Sequence, residues 1–365
     1  MARVAVAMSG GVDSAVAAAL LVDEGHEVVG FTMNLWPAWV PQGDGGAGCC
    51  GVGAAEDARA AARTLGIPHY VLNLRDAFER EVIGYFVEAY ARGRTPNPCI
   101  ACNRAIKFRL LLDRVLGLEM DVLATGHYAR VERAPDGRRL LLRAVDRRKD
   151  QSYVLAGLDQ AQLARVRFPV GAHTKAAVRE IARAHGLGVA EKADSQEICF
   201  VPHGNYGDVV ARLAPAAARP GPIYDLAGRH VGDHRGVGRY TVGQRRGLGV
   251  PGHAPRYVLE VDAERNALVV GDAGDTRCAE LWATDVNWIA VPLDGEREVA
   301  ARVRHAASDL SATIAPAPDG RVHVRFATPP RAAAPGQAIV FYEGDVVLGG
   351  GVIDGVKYGG RGADA

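Results

Sequence analysis

A short apolar run, Val4-Ala5-Val6-Ala7-Met8, leads directly into Ser9-Gly10-Gly11-Val12-Asp13-Ser14, and helix-favouring residues follow from Ala15. The order strand, glycine turn, helix constrains the chain more than any other stretch. Such a turn lines a concavity with backbone N–H groups at the positive end of a helix dipole, which suits a phosphate chain. The motif points to nucleotide chemistry. It is not the Walker pattern, because no Lys-Ser/Thr pair follows the glycines, and it lacks the Gly-x-Gly-x-x-Gly spacing of dinucleotide folds. The plainer alternative is a glycine turn in which Asp13 or Ser14 caps a helix.

The rest of the first half agrees with that start. Short apolar runs alternate with helical periodicity, the pattern of a parallel sheet with crossover helices. Residues 28–33, 69–74 and 121–125 read as strands, and 54–65, 76–91 and 105–116 as helices, with Gly66 and Pro68 as stop signals after the first. Residues 139–145 read as an added strand, and 174–185 as a helix ending at Gly186. The fold expected is α/β, with a doubly wound parallel-sheet domain first. The stretch 214–222, with its prolines and a glycine, reads as a linker. Beyond it short alternating runs at 257–261, 267–270, 298–304, 321–326, 338–342 and 346–352 suggest a small central β-rich domain and a C-terminal β-barrel. A chain of 365 residues accommodates that many cores. The expected divisions are 1–208, 209–277 and 278–361.

A formal net charge of +1 rules out a globally basic nucleic-acid coat, while leaving room for local basic patches. The apolar run at the start breaks at Ser9, which is no signal-peptide pattern, and no window approaches about 18 uninterrupted apolar residues. A cytoplasmic protein with no membrane partner is expected. Six cysteines, Cys49, Cys50, Cys99, Cys102, Cys199 and Cys278, then sit in a reducing compartment, where grouped thiols more often do redox, sulfur or metal chemistry than structural bridging.

Cys99 and Cys102 fall in Thr95-Pro96-Asn97-Pro98-Cys99-Ile100-Ala101-Cys102-Asn103, ahead of the apparent helix from Ala105. Two prolines stiffen the backbone, and a thiol just before a helix is where the dipole favours a thiolate. The alternative for a Cys-x-x-Cys pair is half a zinc site, for which the chain offers no second Cys-x-x-Cys. Cys199 stands in Asp194-Ser195-Gln196-Glu197-Ile198-Cys199-Phe200, where a small buried hydrophobe is the plain reading.

Taken in order, these motifs carry a resemblance. The Ser9–Ser14 turn resembles the SGGxDS loop of the ATP pyrophosphatase (PP-loop) superfamily. Together with TPNPxxxCNxxIKF (95–108), ATGHY (124–128), KDQSY (149–153), FPVG (168–171), DSxxICF (194–200), YTVGQRRGLG (240–249), Pro335-Gly336-Gln337 and Leu348-Gly349-Gly350-Gly351, the chain resembles the tRNA-specific 2-thiouridylases of the MnmA type over nearly its whole length. The resemblance implies an enzyme that replaces the 2-carbonyl oxygen of the wobble uridine in tRNA with sulfur. ATP activates that oxygen by adenylation, with release of pyrophosphate and AMP. It implies that Ala7, Met8, Ser9, Gly10, Gly11, Val12, Asp13 and Ser14 hold ATP with Mg2+, and that Met33 and Gly126 contact the adenosine. It implies a persulfide on Cys199, fed by a cysteine desulfurase or a sulfur-relay protein, and completion of the reaction by Cys102.

The same resemblance places base and tRNA contacts at Asn97, Pro98 and Cys99, at Lys149, Asp150 and Gln151, and at Arg304 and His305. Arg304-His305-Ala306-Ala307 stands where the family usually has an Arg-Tyr run, which weakens the last pair. Cys99 is the main departure, because many members carry Asp there as a general acid or base. A thiol at that position also allows a site of Cys99, Cys102 and Cys199 holding an iron-sulfur cluster, as proposed for some members. Cys49-Cys50 reads either as a sulfur acceptor or as two unreactive loop thiols, and Cys278 receives no role. Two other classes remain open to the sequence: an amidating or lysidine-forming PP-loop ligase, which needs no paired thiols, and a non-catalytic tRNA-binding or sulfur-carrier protein.

Overall fold

The computed structural model describes residues 1–37, 39, 52–193, 198–201, 205–251 and 254–358. Its contacts divide the chain into two units, Met1–Val82 with Cys99–Gly204 and Asp345–Val347, and Ile83–Pro98 with Asn205–Gly344 and Leu348–Ala365.

The first unit is built on a parallel sheet of β1 (Arg3–Ala7), β2 (Glu27–Asn34), β3 (His69–Asn73), β4 (Val122–Thr125) and β7 (Val166–Arg167), in the order β3-β2-β1-β4-β7. β1 sits at the centre, and Val4, Ala5 and Val6 are wholly buried because helices cover both faces of such a sheet. The antiparallel hairpin β5 (Ala129–Arg133) and β6 (Arg139–Arg143) extends this unit, and Val346 pairs with Leu142. Helix α1 (Val12–Asp23) is buried nearly all round. Its run of alanines lets it lie close both to the sheet and to the helix Lys175–Ala184, whose Val178 and Ala182 share its core with Val16 and Leu21. Helices α2 (Val52–Thr64) and α3 (Arg75–Phe78) flank β3 in sequence.

The strand order reverses at β1: β2 and β3 lie on one side, β4 and β7 on the other. In an open α/β sheet the crevice at the carboxyl ends of the strands at this reversal is where ligands bind. The segments leaving it are Met8–Gly11 after β1 and Gly126 after β4.

The second unit holds two β structures. β8 (Gly221–Asp225), β9 (His230–His234), β10 (Tyr257–Asp262) and β11 (Ala267–Gly271) form a sheet in the order β10-β11-β8-β9. β12 (Cys278–Trp288), β13 (Arg297–Arg302), β14 (Leu310–Pro316), β15 (Val322–Phe326), β16 (Ala338–Glu343) and β17 (Val346–Tyr358) run in the order β12-β15-β14-β13-β16-β17, and β12 pairs with β17 to close an antiparallel barrel. The expected parallel-sheet domain, β-rich middle and terminal barrel are therefore present.

Three expectations differ in detail. The helix expected over 76–91 is interrupted by a wider, π-type turn at Glu79–Gly84 before it resumes at Tyr85–Ala91. The helix expected from Ala105 begins at Pro98 instead and runs on through a π-type stretch, Cys102–Leu111. The stretch 214–222 is not a free linker: Pro215–Ala218 makes a helical turn with Ala217 buried, and β8 begins at Gly221. Prolines bar a long helix here but tolerate one tight turn. No helix among the described residues is long and apolar enough to cross a membrane.

Candidate functional site

The glycine turn is pinned by its own serines. Ser14 Oγ donates to the Gly11 carbonyl at 3.0 Å and accepts from the Ser9 amide at 3.1 Å, while Gly11 is the N-cap and brings no side chain. Neither Asp13 nor Ser14 is therefore the cap, and the first turn of α1 presents backbone N–H groups that no capping side chain takes. Gly10 needs to be glycine twice over: its φ is +68°, and a Cβ there would lie 2.2 Å from the Ala54 carbonyl oxygen. Gly126 closes the crevice from the β4 side, where a Cβ would lie 2.6 Å from the Ser14 nitrogen. The two motifs SGGVDS and ATGHY are thus packed backbone on backbone. Met33, near the end of β2, is 8 % exposed and packs in the core.

Side chains from outside the turn complete it. Asp13, in the first turn of α1, accepts from Lys175 Nζ at 2.8 and 2.9 Å and from the Tyr128 hydroxyl at 2.8 Å. Lys192 Nζ donates to the Gly10 carbonyl at 3.0 Å and pairs with Asp57 at 2.6 Å. Sequence reasoning missed both lysines. A signal for one was present: Lys175 is the first residue of its helix, after the capping Thr174, and a cation at a helix N-terminus is electrostatically misplaced unless something nearby wants it.

Tyr128 is held in turn. Its amide donates to Gln151 Oε1 at 2.9 Å, and its carbonyl accepts from the Gln151 amide at 2.8 Å. Beside Gln151, the Asp150 carboxylate is almost fully buried and accepts from the Ala144 amide, the Ser152 amide and Ser152 Oγ, with Arg143 3.9 Å away. These two residues, expected at the base, brace the fold through Asp150 and Tyr128 through Gln151. Lys149 is half-buried in the preceding turn, its amide donating to Asp146.

His127 follows β4 and is buried. Lys107 Nζ approaches its Nε2 at 3.5 Å, which makes that nitrogen the acceptor and leaves Nδ1–H to donate to Thr125 Oγ1 at 2.7 Å. Burial first, and then the Lys107 charge, hold the imidazole well below its ordinary pKa. His127 is a neutral, positioning group.

The thiols are placed by a different set of contacts. Cys99 is exposed, in the first turn of the helix beginning at Pro98, whereas Cys102 is half-buried a full turn further on. The expectation that Cys102 precedes the helix is corrected, and with it the dipole argument, whose effect fades beyond the first turn. Asn103 next to it is buried and donates to the Val154 carbonyl at 2.9 Å. Cys199 is half-buried beside Phe200, whose ring meets Phe78 edge-on at 5.8 Å. Phe78 ends α3, and the helix carrying Cys102 packs against α3 as well. Both thiol segments are thus seated on one short helix of the first unit.

Among the described residues no group of three or more His, Cys, Asp or Glu side chains is arranged to hold a metal ion. Cys99 and Cys102 lie a turn apart on one helix and Cys199 on a separate segment, and the three are not gathered into such a group. Three thiols are the right donors for an iron-sulfur cluster, but they are not gathered here, and no step is derived through one. Cys49 and Cys50 lie outside the described residues, as does 194–197 of the Cys199 motif. Cys278 is buried, its Sγ donates to the Glu280 carbonyl at 3.1 Å, and burial pushes its thiol up to about 12.

The remaining expected contacts belong to the second unit. Asn97 and Pro98 follow Thr95, whose amide donates to the Pro335 carbonyl at 2.8 Å, and Arg94 pairs with Asp354 at 2.9 Å. Gly336 has φ +90°, and a Cβ there would lie 2.8 Å from the Thr95 nitrogen, so the Pro-Gly-Gln motif of the barrel is the seat of the Thr-Pro-Asn-Pro motif. Arg304 and His305 are exposed in the turn after β13.

Residues 2–203 match the family model described as tRNA methyl transferase HUP domain, 208–272 the tRNA methyl transferase PRC-barrel domain, and 278–353 the aminomethyltransferase beta-barrel domain. A tRNA-specific 2-thiouridylase MnmA of Moorella thermoacetica is 52 % identical over 96 % of this chain and 99 % of its own length. One from Chloroflexus aurantiacus is 52 % identical over 97 % and 98 %, and one from Symbiobacterium thermophilum 51 % identical over 96 % and 92 %.

Proposed function

The chain belongs to the family of tRNA-specific 2-thiouridylases, and from that premise we propose that it is an ATP-dependent sulfurtransferase acting on the 2-position of the wobble uridine of tRNA. The observation that carries the mechanism is the placement of the Ser9–Ser14 turn at the strand-order reversal of the same unit that holds Cys102 and Cys199.

A urea-like carbonyl oxygen is a poor leaving group. In the first step the uridine O2 attacks the α-phosphorus of ATP, the bond to the β-phosphate oxygen breaks, and pyrophosphate leaves. The turn's N–H groups and the α1 dipole favour the charge that gathers on the departing phosphates. Magnesium is typically held by one or two carboxylates with phosphate oxygens, and Asp13 supplies a carboxylate, 29 % exposed, on the first turn. These residues fit an ion arriving with the nucleotide, whose chemistry would be to neutralise phosphate charge.

In the second step sulfur displaces AMP. A persulfide on Cys199, loaded by a cysteine desulfurase or relay protein, attacks C2 through its terminal sulfur, and the C2–O bond to AMP breaks. Cys102 thiolate then attacks the Cys199 sulfur, forming a Cys102–Cys199 disulfide and releasing the 2-thiouridine. Equivalently, Cys102 attacks first and frees hydrosulfide for C2. Either order leaves a disulfide that a dithiol reductant must reopen, which suits a cytoplasmic setting. Asn97, Pro98 and Cys99, Lys149, and Arg304 with His305 are the proposed tRNA contacts, within a division of the chain into 1–208, 209–277 and 278–361.

Incubation with ATP, a persulfide source and unmodified tRNA, followed by nucleoside mass analysis, tests the reading. An oxygen-to-sulfur mass shift at the wobble uridine is expected, and its loss in Cys102→Ser and in Cys199→Ser. Full thiolation by either variant overturns the cysteine roles.

A further inference from the structure

Two ammonium groups stand on the glycine turn, and the reaction as derived above leaves both without a task. Lys192 Nζ reaches the Gly10 carbonyl at 3.0 Å, and Lys175 Nζ grips the Asp13 carboxylate at 2.8 and 2.9 Å, so the cations flank the four residues Gly10–Asp13 from either end. Neither position is good for a cation on local grounds. Lys175 opens its own helix and points to the opening turn of α1, so it faces the positive ends of two dipoles. Lys192 borders the same turn. Each is tethered meanwhile by one carboxylate, Asp13 or Asp57.

We infer that Lys175 and Lys192 bind the β- and γ-phosphates of the nucleoside triphosphate, exchanging carboxylate for phosphate oxygen when it arrives. The inference rests on the ATP reading above and names the side chains that make the turn selective for a triphosphate. The exchange is favourable for a simple reason. An ion pair between partly exposed side chains contributes little, as at Lys192 and Asp57, which are 42 % and 43 % exposed. A charge-assisted bond to a phosphate carrying several negative charges is stronger. The exchange also releases both Asp13 carboxylate oxygens from Lys175, while the Tyr128 hydroxyl keeps its bond to Oδ1. Lys175 is the more enclosed of the two, 12 % exposed and 5.9 Å from the Tyr128 ring centre, so it is held close to the turn before any nucleotide comes. Lys192, further out, follows the phosphate chain along the turn.

The test is calorimetric binding of the uncleavable α,β-methylene analogue of ATP and, separately, of AMP to the full-length protein and to Lys175→Met, Lys192→Met and Lys175→Arg. Each methionine variant should lose about tenfold or more in affinity for the triphosphate analogue and less than about twofold for AMP, with Lys175→Arg close to the natural protein. Equal affinity for the analogue in the folded variants overturns the inference, as does a loss of the same size for AMP, which would mark a packing role. If Lys175→Met does not fold, Lys192→Met and Lys175→Arg decide the question alone. If the natural protein binds neither ligand, the ATP reading itself falls, a result distinct from normal binding by the natural protein and unchanged binding by its variants.

Discussion

Ser9–Ser14 and Lys149–Gln151 stand equally prominent in the sequence as binding motifs, and the structure uses them in opposite ways. The first turns its backbone outward, stripped of side chains at Gly10 and Gly11, and leaves charge to lysines from distant positions. The second bonds within the fold: Asp150 accepts from three donors, the Ala144 and Ser152 amides and Ser152 Oγ, and Gln151 clasps both backbone polar groups of Tyr128. The two are nevertheless one device. Gln151 sets Tyr128, and Tyr128 sets Asp13 in the turn, so a motif expected at the substrate also bears on the glycine turn through another residue. A conspicuous polar motif can serve by placing another one.

The largest effect that would break this comparison is at the turn. Gly10→Ala forces a methyl against the Ala54 carbonyl in a left-handed conformation, and should cost about 3 kcal/mol of stability and most nucleotide binding. Denaturant unfolding and nucleotide titration read both, and an unperturbed variant would mean that the turn is looser than described. Asp150→Ala should cost about as much, roughly 3 kcal/mol, because the buried Ala144 amide, Ser152 amide and Ser152 Oγ all lose their acceptor. A small stability change combined with a large loss of tRNA affinity would return Asp150 to the substrate.

His127 is held below its ordinary value of 6.5, so the unfolded chain binds the proton more readily. Its stabilising contribution is complete above about pH 6.5 and is lost as pH falls toward the folded value, at up to about 1.4 kcal/mol per pH unit. His69 and His234, both lowered chiefly by burial, act with the same sign. Unfolding midpoints between pH 7 and 5 should therefore fall steeply for the natural protein and less steeply for His127→Asn.

Smaller still, Gln151→Ala should cost about 1 kcal/mol and raise the KM for ATP while leaving that for tRNA unchanged. The reverse split would restore the base contact. Arg304→Ala, on an exposed turn, should leave stability unchanged and lower only tRNA affinity, with a shallower salt dependence.

How much of this was legible follows from how local each signal is. The β1–turn–α1 unit was readable because apolar run, glycines and helix formers are contiguous, and the terminal barrel because short alternating strands repeat. The start of the Cys102 helix was misplaced because Pro98 reads as a breaker, although proline is welcome in a helix's first turn. The gathering of the two thiol segments on α3 had no local trace, since Phe78 and Phe200 are 122 residues apart in sequence and meet only in the core.

By itself, then, the amino-acid order determined the glycine turn, the parallel sheet around it and the family to which the chain belongs, because each rests on residues adjacent in the chain. Only the tertiary structure decided which charges serve that turn. Lys175 and Lys192 reach it across more than 160 residues, Asp150 is buried and Gln151 bonds to Tyr128, because burial and hydrogen-bond partners are properties of the packed chain and not of any stretch within it.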